Sequence, residues 1–252
     1  MPRFSANLGF LWTELPLPDA IRAAACAGFD AVECHWPFDT APKAVRAALR
    51  DTGLPMLGLN TRRGNTSAGE NGLAALVGRT AEAKGAINEA LDYADAIGAH
   101  SVHVMAGVAK GAEAQAVFEE NLRYACARAG DRMILVEPLN VHDAPGYFLR
   151  TTGQAQEIIA RVACSNLKLM FDCYHVARAE GDPVARLRQV QPILGHIQFA
   201  GVPDRGPPDS GTVAYAEVFD EIDDMGWQRP LGAEYRPSGD TDASLSWLSR
   251  FR

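Results

Sequence analysis

Residues 132–138 read Arg132-Met133-Ile134-Leu135-Val136-Glu137-Pro138. Four apolar residues run together without alternation, then come one carboxylate and a proline. A run this short and this uniformly apolar reads as a strand buried on both faces, as in a parallel sheet covered by helices. A carboxylate placed directly after it is costly to bury unless it is paired, hydrogen-bonded or bound to a metal. The device recurs about thirty residues on, where Leu167-Lys168-Leu169-Met170-Phe171 ends in Asp172.

Working outward from this stretch, short apolar runs alternate with longer Ala-rich segments of helical period. The predicted strands are 4–9, 30–34, 55–60, 101–106, 132–137, 167–172, 193–199 and 230–235. The predicted helices are 14–27, 40–52, 78–97, 112–129, 151–163, 182–190, 214–225 and 240–250. Punctuation supports them: Pro16 and Pro18 open the first, Gly28, Gly98, Gly130 and Gly226 close others, and Thr151-Thr152 offers an N-cap. In 78–97, Ala83, Ile87, Leu91 and Ala94 fall on one stripe. Eight βα units of about 31 residues each predict a single (β/α)8 TIM barrel domain over 1–252. An open doubly wound sheet is the alternative, but no G-x-G-x-x-G follows the first strand. The two longest loops after strands are 61–77 and 201–213, and loops of that length are usually functional or mobile.

Composition narrows the function. The 252 residues are 47% hydrophobic and 22% charged, which suits a soluble globular protein. A formal net charge of −7 argues against a broad nucleic-acid-binding face. Cys26, Cys34, Cys126, Cys164 and Cys173 stand singly, with no C-x-x-C pair, so neither a disulfide framework nor a thiolate zinc site is expected. No targeting h-region and no apolar run of membrane-spanning length occur, so the expectation is a cytoplasmic protein with no membrane partner. A homo-oligomer is compatible with the sequence.

Four neighbouring strands each deliver one oxygen-bearing side chain at the same level: Glu137, Asp172, Gln198 and Glu234. One carboxylate at a strand end is ordinarily a loop cap or a salt-bridge partner; four such groups on consecutive strands, at the end where barrels carry their active sites, point to a metal or acid/base site. An all-oxygen set suits a hard divalent ion, Mg²⁺ or Mn²⁺, better than zinc or copper. A metal that polarises a carbonyl makes the neighbouring C–H more acidic. Glu137 and Glu234 flank the other two strands and form the natural pair to relay a proton between adjacent carbons. The implied chemistry is an enediolate-type isomerisation or an epimerisation.

At this point the chain resembles the hydroxypyruvate isomerase family, within the xylose isomerase-like barrels that include ketose 3-epimerases. The resemblance runs nearly end to end. It is carried by Phe4-Ser5-Ala6-Asn7-Leu8, Ala27-Gly28-Phe29-Asp30-Ala31-Val32-Glu33, Pro37-Phe38-Asp39 and Val136-Glu137-Pro138-Leu139-Asn140. More specific are Asp143-Ala144-Pro145-Gly146-Tyr147-Phe148 and Phe171-Asp172-Cys173-Tyr174-His175, then Gly195-His196-Ile197-Gln198, Val202-Pro203-Asp204-Arg205 and Gly232-Ala233-Glu234-Tyr235. The resemblance implies that Glu137, Asp172, Gln198 and Glu234 bind a divalent metal, with Glu137 and Glu234 moving the proton. It also implies that Asp143, His175 and Arg205 contact a small oxo-acid substrate; a guanidinium fork suits a carboxylate. Gln at position 198 is similar to the hydroxypyruvate isomerase group, whereas the related epimerases usually carry His there. Two loops depart from the pattern: Gly206, Pro207 and Thr212 replace imidazole and acidic positions, and Arg62-Arg63 stand where the family tends to be apolar or small. Those arginines would suit a longer or phosphorylated oxo acid.

Other residues have competing readings. His35 either lines the pocket or packs; Glu33 either points into the barrel mouth or is structural. His103 reads as a satisfied histidine of the barrel interior, and His100 and His196 as structural. His142 would rim the site, Trp12 would cover it or pack, and Cys173 lacks a base partner. Glu217, Asp220, Glu221, Asp223 and Asp224 read as the solvated face of a helix. The leading function is a metal-dependent isomerase taking hydroxypyruvate to tartronate semialdehyde or acting on a close homologue. The rivals are a ketose or ketose-acid 3-epimerase, a metal-dependent endonuclease, which needs many histidines and a basic groove, and a non-catalytic binding barrel.

Overall fold

The computed structural model describes residues 2–251. Eight strands occur in chain order: β1 (Phe4–Asn7), β2 (Ala31–Glu33), β3 (Gly58–Asn60), β4 (Ser101–His103), β5 (Met133–Val136), β6 (Leu167–Asp172), β7 (Leu194–Phe199) and β8 (Leu231–Ala233). All pair in parallel, in the order β2-β1-β8-β7-β6-β5-β4-β3. The seam between β2 and β3 is drawn together by a Val32–Met56 bridge and by Cys34 N–H donating to Gly58 O at 3.1 Å. The result is the expected (β/α)8 barrel. Its strands are shorter than their apolar runs, and several predicted strand-end residues lie one position beyond the ladder.

The helices are α1 (Leu17–Cys26), α2 (Pro42–Thr52), α3 (Thr80–Ile97), α4 (Gly111–Ala129), α5 (Thr152–Val162), α6 (Cys173–Ala179), α7 (Pro183–Val190), α8 (Tyr215–Asp224) and α9 (Ser246–Arg250). The stripe read in α3 is buried at Ala83, Ile87, Leu91 and Ala94. Helix α1 starts three residues later than expected, because the residue before a proline is pushed out of the helical region and Leu15 precedes Pro16. Helix α6 has no counterpart in the sequence reading. The predicted 240–250 helix is a 3-10 turn at Asp242–Ser244 followed by α9. An edge-to-face aromatic cluster seals the strands to the helices where the barrel's ends meet: Phe4 lies 5.1 Å from Trp247 and 5.7 Å from Phe199, and Phe199 lies 5.1 Å from Phe219.

One irregularity positions the site. Between β6 and β7 the register jumps, from Leu169 opposite Leu194 to Met170 opposite His196, so β7 carries one extra residue, Gly195. A Cβ at Gly195 would stand 2.4 Å from the Lys168 side chain and 2.6 Å from Met133 Sδ, so only glycine fits. A one-residue slip exchanges the faces of a strand. Here it places His196 and Gln198 beside Met170 in the lining of one small interior cavity, and sets Gln198 directly opposite Asp172.

Candidate active site

Asp172 is the last residue of β6 and Gln198 the penultimate residue of β7, paired across the ladder. Phe199 is in register with Ala233, so Glu234 follows at the same level, its N–H donating to Phe199 O at 3.1 Å. Glu137 directly follows β5. All four side chains are buried. Arg205, on the loop after β7, bridges two of them: its Nη2 lies 2.9 Å from Glu234 Oε2 and 3.4 Å from Asp172 Oδ2. Its guanidinium sits between the rings of Phe10 (4.8 Å) and Tyr174 (5.0 Å). The backbone of Arg205 has φ +56°, a conformation costly for a bulky residue, and it turns this side chain into the barrel mouth. His175, on α6, brings Nε2 within 3.6 Å of Asp172 Oδ2 and 3.8 Å of Glu137 Oε1.

The tautomer of His175 follows from its other nitrogen. Nδ1 accepts from the backbone N–H of Asn140 at 3.1 Å, so the neutral ring carries its proton on Nε2, facing the carboxylates. Asn140 is locked in the matching sense. Its Oδ1 accepts from the N–H groups of His142 (3.0 Å) and Asp143 (3.1 Å), leaving Nδ2 to donate to His175 Nδ1 (2.7 Å) and Asp143 Oδ2 (3.2 Å). Glu137, Asp172 and His175 each offer an atom within 4.8 Å of the others. With its Nε2 protonated, His175 is a donor in that group rather than a metal ligand.

The electrostatics are lopsided. Burial, then the neighbouring Glu234 and Asp172, push Glu137 well above the usual carboxylate range. Burial raises Asp172 to about 7 despite Arg205 beside it. Burial would raise Glu234 as well, but Arg205 and then His35 outweigh it and bring the group down to about 2. The two glutamates at either side of the site are therefore driven in opposite directions. Two buried oxygens, Glu137 Oε1 and Gln198 Oε1, have no hydrogen-bond partner. Orphaned acceptors among crowded carboxylates, all of them hard oxygen donors, fit a divalent cation of the Mg²⁺ or Mn²⁺ type.

Several residues whose sequence left competing or structural readings take definite places here. His35 Nε2 lies 2.7 Å from Glu234 Oε1, and its ring packs against Phe10 and Trp36. Glu33 points inward, buried, and accepts from Asn7 Nδ2 (2.9 Å), Gln198 Nε2 (2.7 Å) and His196 Nε2 (2.7 Å). His196 thus belongs to the site's support. The expectation of a satisfied His103 fails: it is buried, its nearest acid is Glu137 at 3.6 Å, and neither ring nitrogen has a hydrogen-bond partner. The signal for these residues was a polar side chain inside an otherwise apolar strand. Asp143 lies on the exposed rim and reaches the site through Asn140 and through Tyr174, whose ring lies against Arg205. Trp12 is a packing residue, buried and hydrogen-bonded to Thr241 and Asp242. Burial pushes the Cys173 thiol well up, against any nucleophilic role. The loop arginines divide. Arg62 forks onto Glu89 at 2.7 and 3.1 Å, while Arg63 lies over the Trp36 ring at 4.0 Å.

Residues 21–251 match the family described as the xylose isomerase-like TIM barrel. Over its full length the chain is 43% identical to the 2-oxo-tetronate isomerase of Cupriavidus necator, covering 99% of that protein. It is 34% identical to the hydroxypyruvate isomerase of Escherichia coli, covering all of both chains. Among solved structures it superposes, with a TM-score of 0.96, 34% identity and complete coverage of both chains, on a protein from Brucella melitensis described as an AP endonuclease, family 2.

Proposed function

Since the chain belongs to the xylose isomerase-like TIM barrel family and its full-length relatives are named as isomerases, we propose that it is a metal-dependent isomerase of a small 2-oxo acid. The reaction is the movement of a proton between adjacent carbons, as in hydroxypyruvate to tartronate semialdehyde or the isomerisation of a 2-oxo-tetronate. The higher identity to the 2-oxo-tetronate isomerase makes the four-carbon acid the first substrate to test. The observation that most supports this reading is the convergence of four buried strand-end groups, two of whose oxygens have no partner.

Glu137, Asp172, Gln198 and Glu234 would hold Mg²⁺ or Mn²⁺. The ion, when bound, polarises the substrate carbonyl and acidifies the adjacent C–H. The residues do the rest. Glu137 and Glu234 come from strands on either side of β6 and β7, so one carboxylate takes the proton from one carbon and the other returns a proton to its neighbour through an enediolate. His175 directs its Nε2–H toward the reacting oxygens, oriented by Asn140. Arg205, confined between Phe10 and Tyr174, presents its fork to the substrate carboxylate. Asp143 supports His175 through Asn140 and meets the substrate from the rim.

The test is NMR detection of solvent deuterium entering hydroxypyruvate, 2-oxo-tetronate and a panel of ketoses, with Mg²⁺ or Mn²⁺ present. The wild type should exchange into the oxo acids, and both Glu137→Gln and Glu234→Gln should lose exchange by at least about a hundredfold, the scale of general acid–base catalysis. Full exchange in both variants ends the reading. Exchange into ketoses alone replaces it with a 3-epimerase. An endonuclease reading finds little support: His175 is the one histidine, among the described residues, in a group spaced to ligate a metal.

A further inference from the structure

We propose that Glu33 is a positioning residue that sets the direction in which Gln198 presents its amide; the inference rests on the metal reading above. An amide side chain has two ends, and which one faces a site is decided by its neighbours. A carboxylate can only accept. Because Glu33 Oε1 lies 2.7 Å from the Gln198 side chain, it takes the Nε2 end and leaves Oε1 on the far side, where it is buried and without a partner.

Glu33 is itself fixed. Its Oε1 also accepts from Asn7 Nδ2 at 2.9 Å and its Oε2 from His196 Nε2 at 2.7 Å, so three donors from β1 and β7 converge on one carboxylate. Gly232 in β8 provides the room. A Cβ there would stand 2.6 and 2.8 Å from the two Glu33 oxygens and 2.8 Å from Gln198 Cγ. The β6/β7 register shift, which brings His196 and Gln198 to the interior together, completes the arrangement. Strands β1, β2, β7 and β8 thus cooperate to aim one oxygen atom. The arrangement also gives a reason for glutamine at 198: a carboxylate there would face the Glu33 carboxylate at hydrogen-bond distance, and the pair would have to take up a shared proton that the amide N–H makes unnecessary.

The role is tested by calorimetric titration of the full-length protein with Mn²⁺, comparing wild type, Glu33→Gln, Gln198→Ala and the double variant, with thermal melting in chelator as a check on folding. Glu33→Gln keeps the shape of the side chain but lets the Gln198 amide flip. It should weaken Mn²⁺ binding about tenfold or more, within the range for outer partners of metal ligands. Because Glu33 acts through Gln198, the double variant should bind no more weakly than Gln198→Ala alone. Wild-type affinity in Glu33→Gln, or losses that multiply in the double variant, overturns the role of Glu33 and leaves the metal reading standing. If Glu33→Gln fails to fold, Gly232→Ala serves in its place: crowding the same two side chains should lower Mn²⁺ affinity, and unchanged affinity overturns the proposal. Failure of the wild type to bind Mn²⁺ or Mg²⁺ at all overturns the metal reading and this inference with it.

Discussion

Two arginines near the barrel mouth, Arg205 over Phe10 and Arg63 over Trp36, carry separate expectations. Arg205 is partly buried against two carboxylates, held by aromatic faces and strained in its backbone, all of which keep its fork in place. Arg205→Ala should raise KM for an oxo acid by about tenfold or more, since a charge-assisted hydrogen bond contributes about 1.5–3 kcal/mol. Its effect on a neutral ketose should be much smaller, and equal effects in steady-state kinetics would remove the carboxylate from its role. Arg63 is cushioned on Trp36, whose ring abuts His35 and, through it, Glu234. Arg63→Ala should therefore raise KM for a 2-oxo-tetronate or its phosphate ester while leaving hydroxypyruvate unchanged; a substrate profile that does not respond to added length or charge sinks this. Arg62 carries no such expectation, because Glu89 and Phe38 already occupy it. The four proposed metal-binding side chains were legible because each is an oxygen-bearing group at or next to the end of a mostly apolar strand. Glu33 and His35 were left with two readings, because the inward face at the end of a three-residue strand is decided by register, and His196 was read as structural because the shift at Gly195 cannot be read from alternation.

Helix α6 joins architecture to chemistry. It is only seven residues long, too short to show a helical period, and its start is fixed by Asp172, whose Oδ1 accepts from Tyr174 N–H at 2.8 Å. The other oxygen, Oδ2, faces Arg205 and His175. One side chain thus caps the helix that carries His175 and serves the site. The two duties separate by substitution. Asp172→Asn keeps a capping oxygen and should fold with stability near wild type while losing Mn²⁺ binding. Asp172→Ala should lose a further ~1 kcal/mol of unfolding free energy in urea denaturation, the usual value of an N-cap. Equal stability of the two variants would show that the cap contributes nothing. The longer helices were legible because glycines, prolines and apolar stripes mark them. This one depends on a cap supplied by a residue that sequence reasoning had already assigned to metal.

Across the whole molecule, the cost of concentrating polar groups inside a barrel appears in its response to acid. Burial brings His103 and His175 down to about 3, below the ordinary value near 6.5. A depressed histidine contributes fully above about pH 6.5 and loses that contribution as the pH falls toward 3, by up to about 1.4 kcal/mol per pH unit for each ring. Glu137 and Asp172, whose values are raised, act with the opposite sign, their contribution fading as the pH rises through those values. The contribution of a buried histidine is therefore best measured as a difference. Between pH 6.5 and 4.5, in chelator, His103→Leu should lose stability less steeply than wild type, and parallel curves in denaturant titrations would refute the assignment. The eightfold alternation made the barrel legible from the sequence, but not how its first and last parts are fastened. Leu231 N–H donates to Arg3 O, Trp12 N–H to Thr241 Oγ1, and Trp247 is fully buried against Phe4 and Phe29. A nascent chain emerging from the ribosome therefore holds β1 with one edge unmatched until Leu231–Ala233, more than two hundred residues later, can lie down beside it.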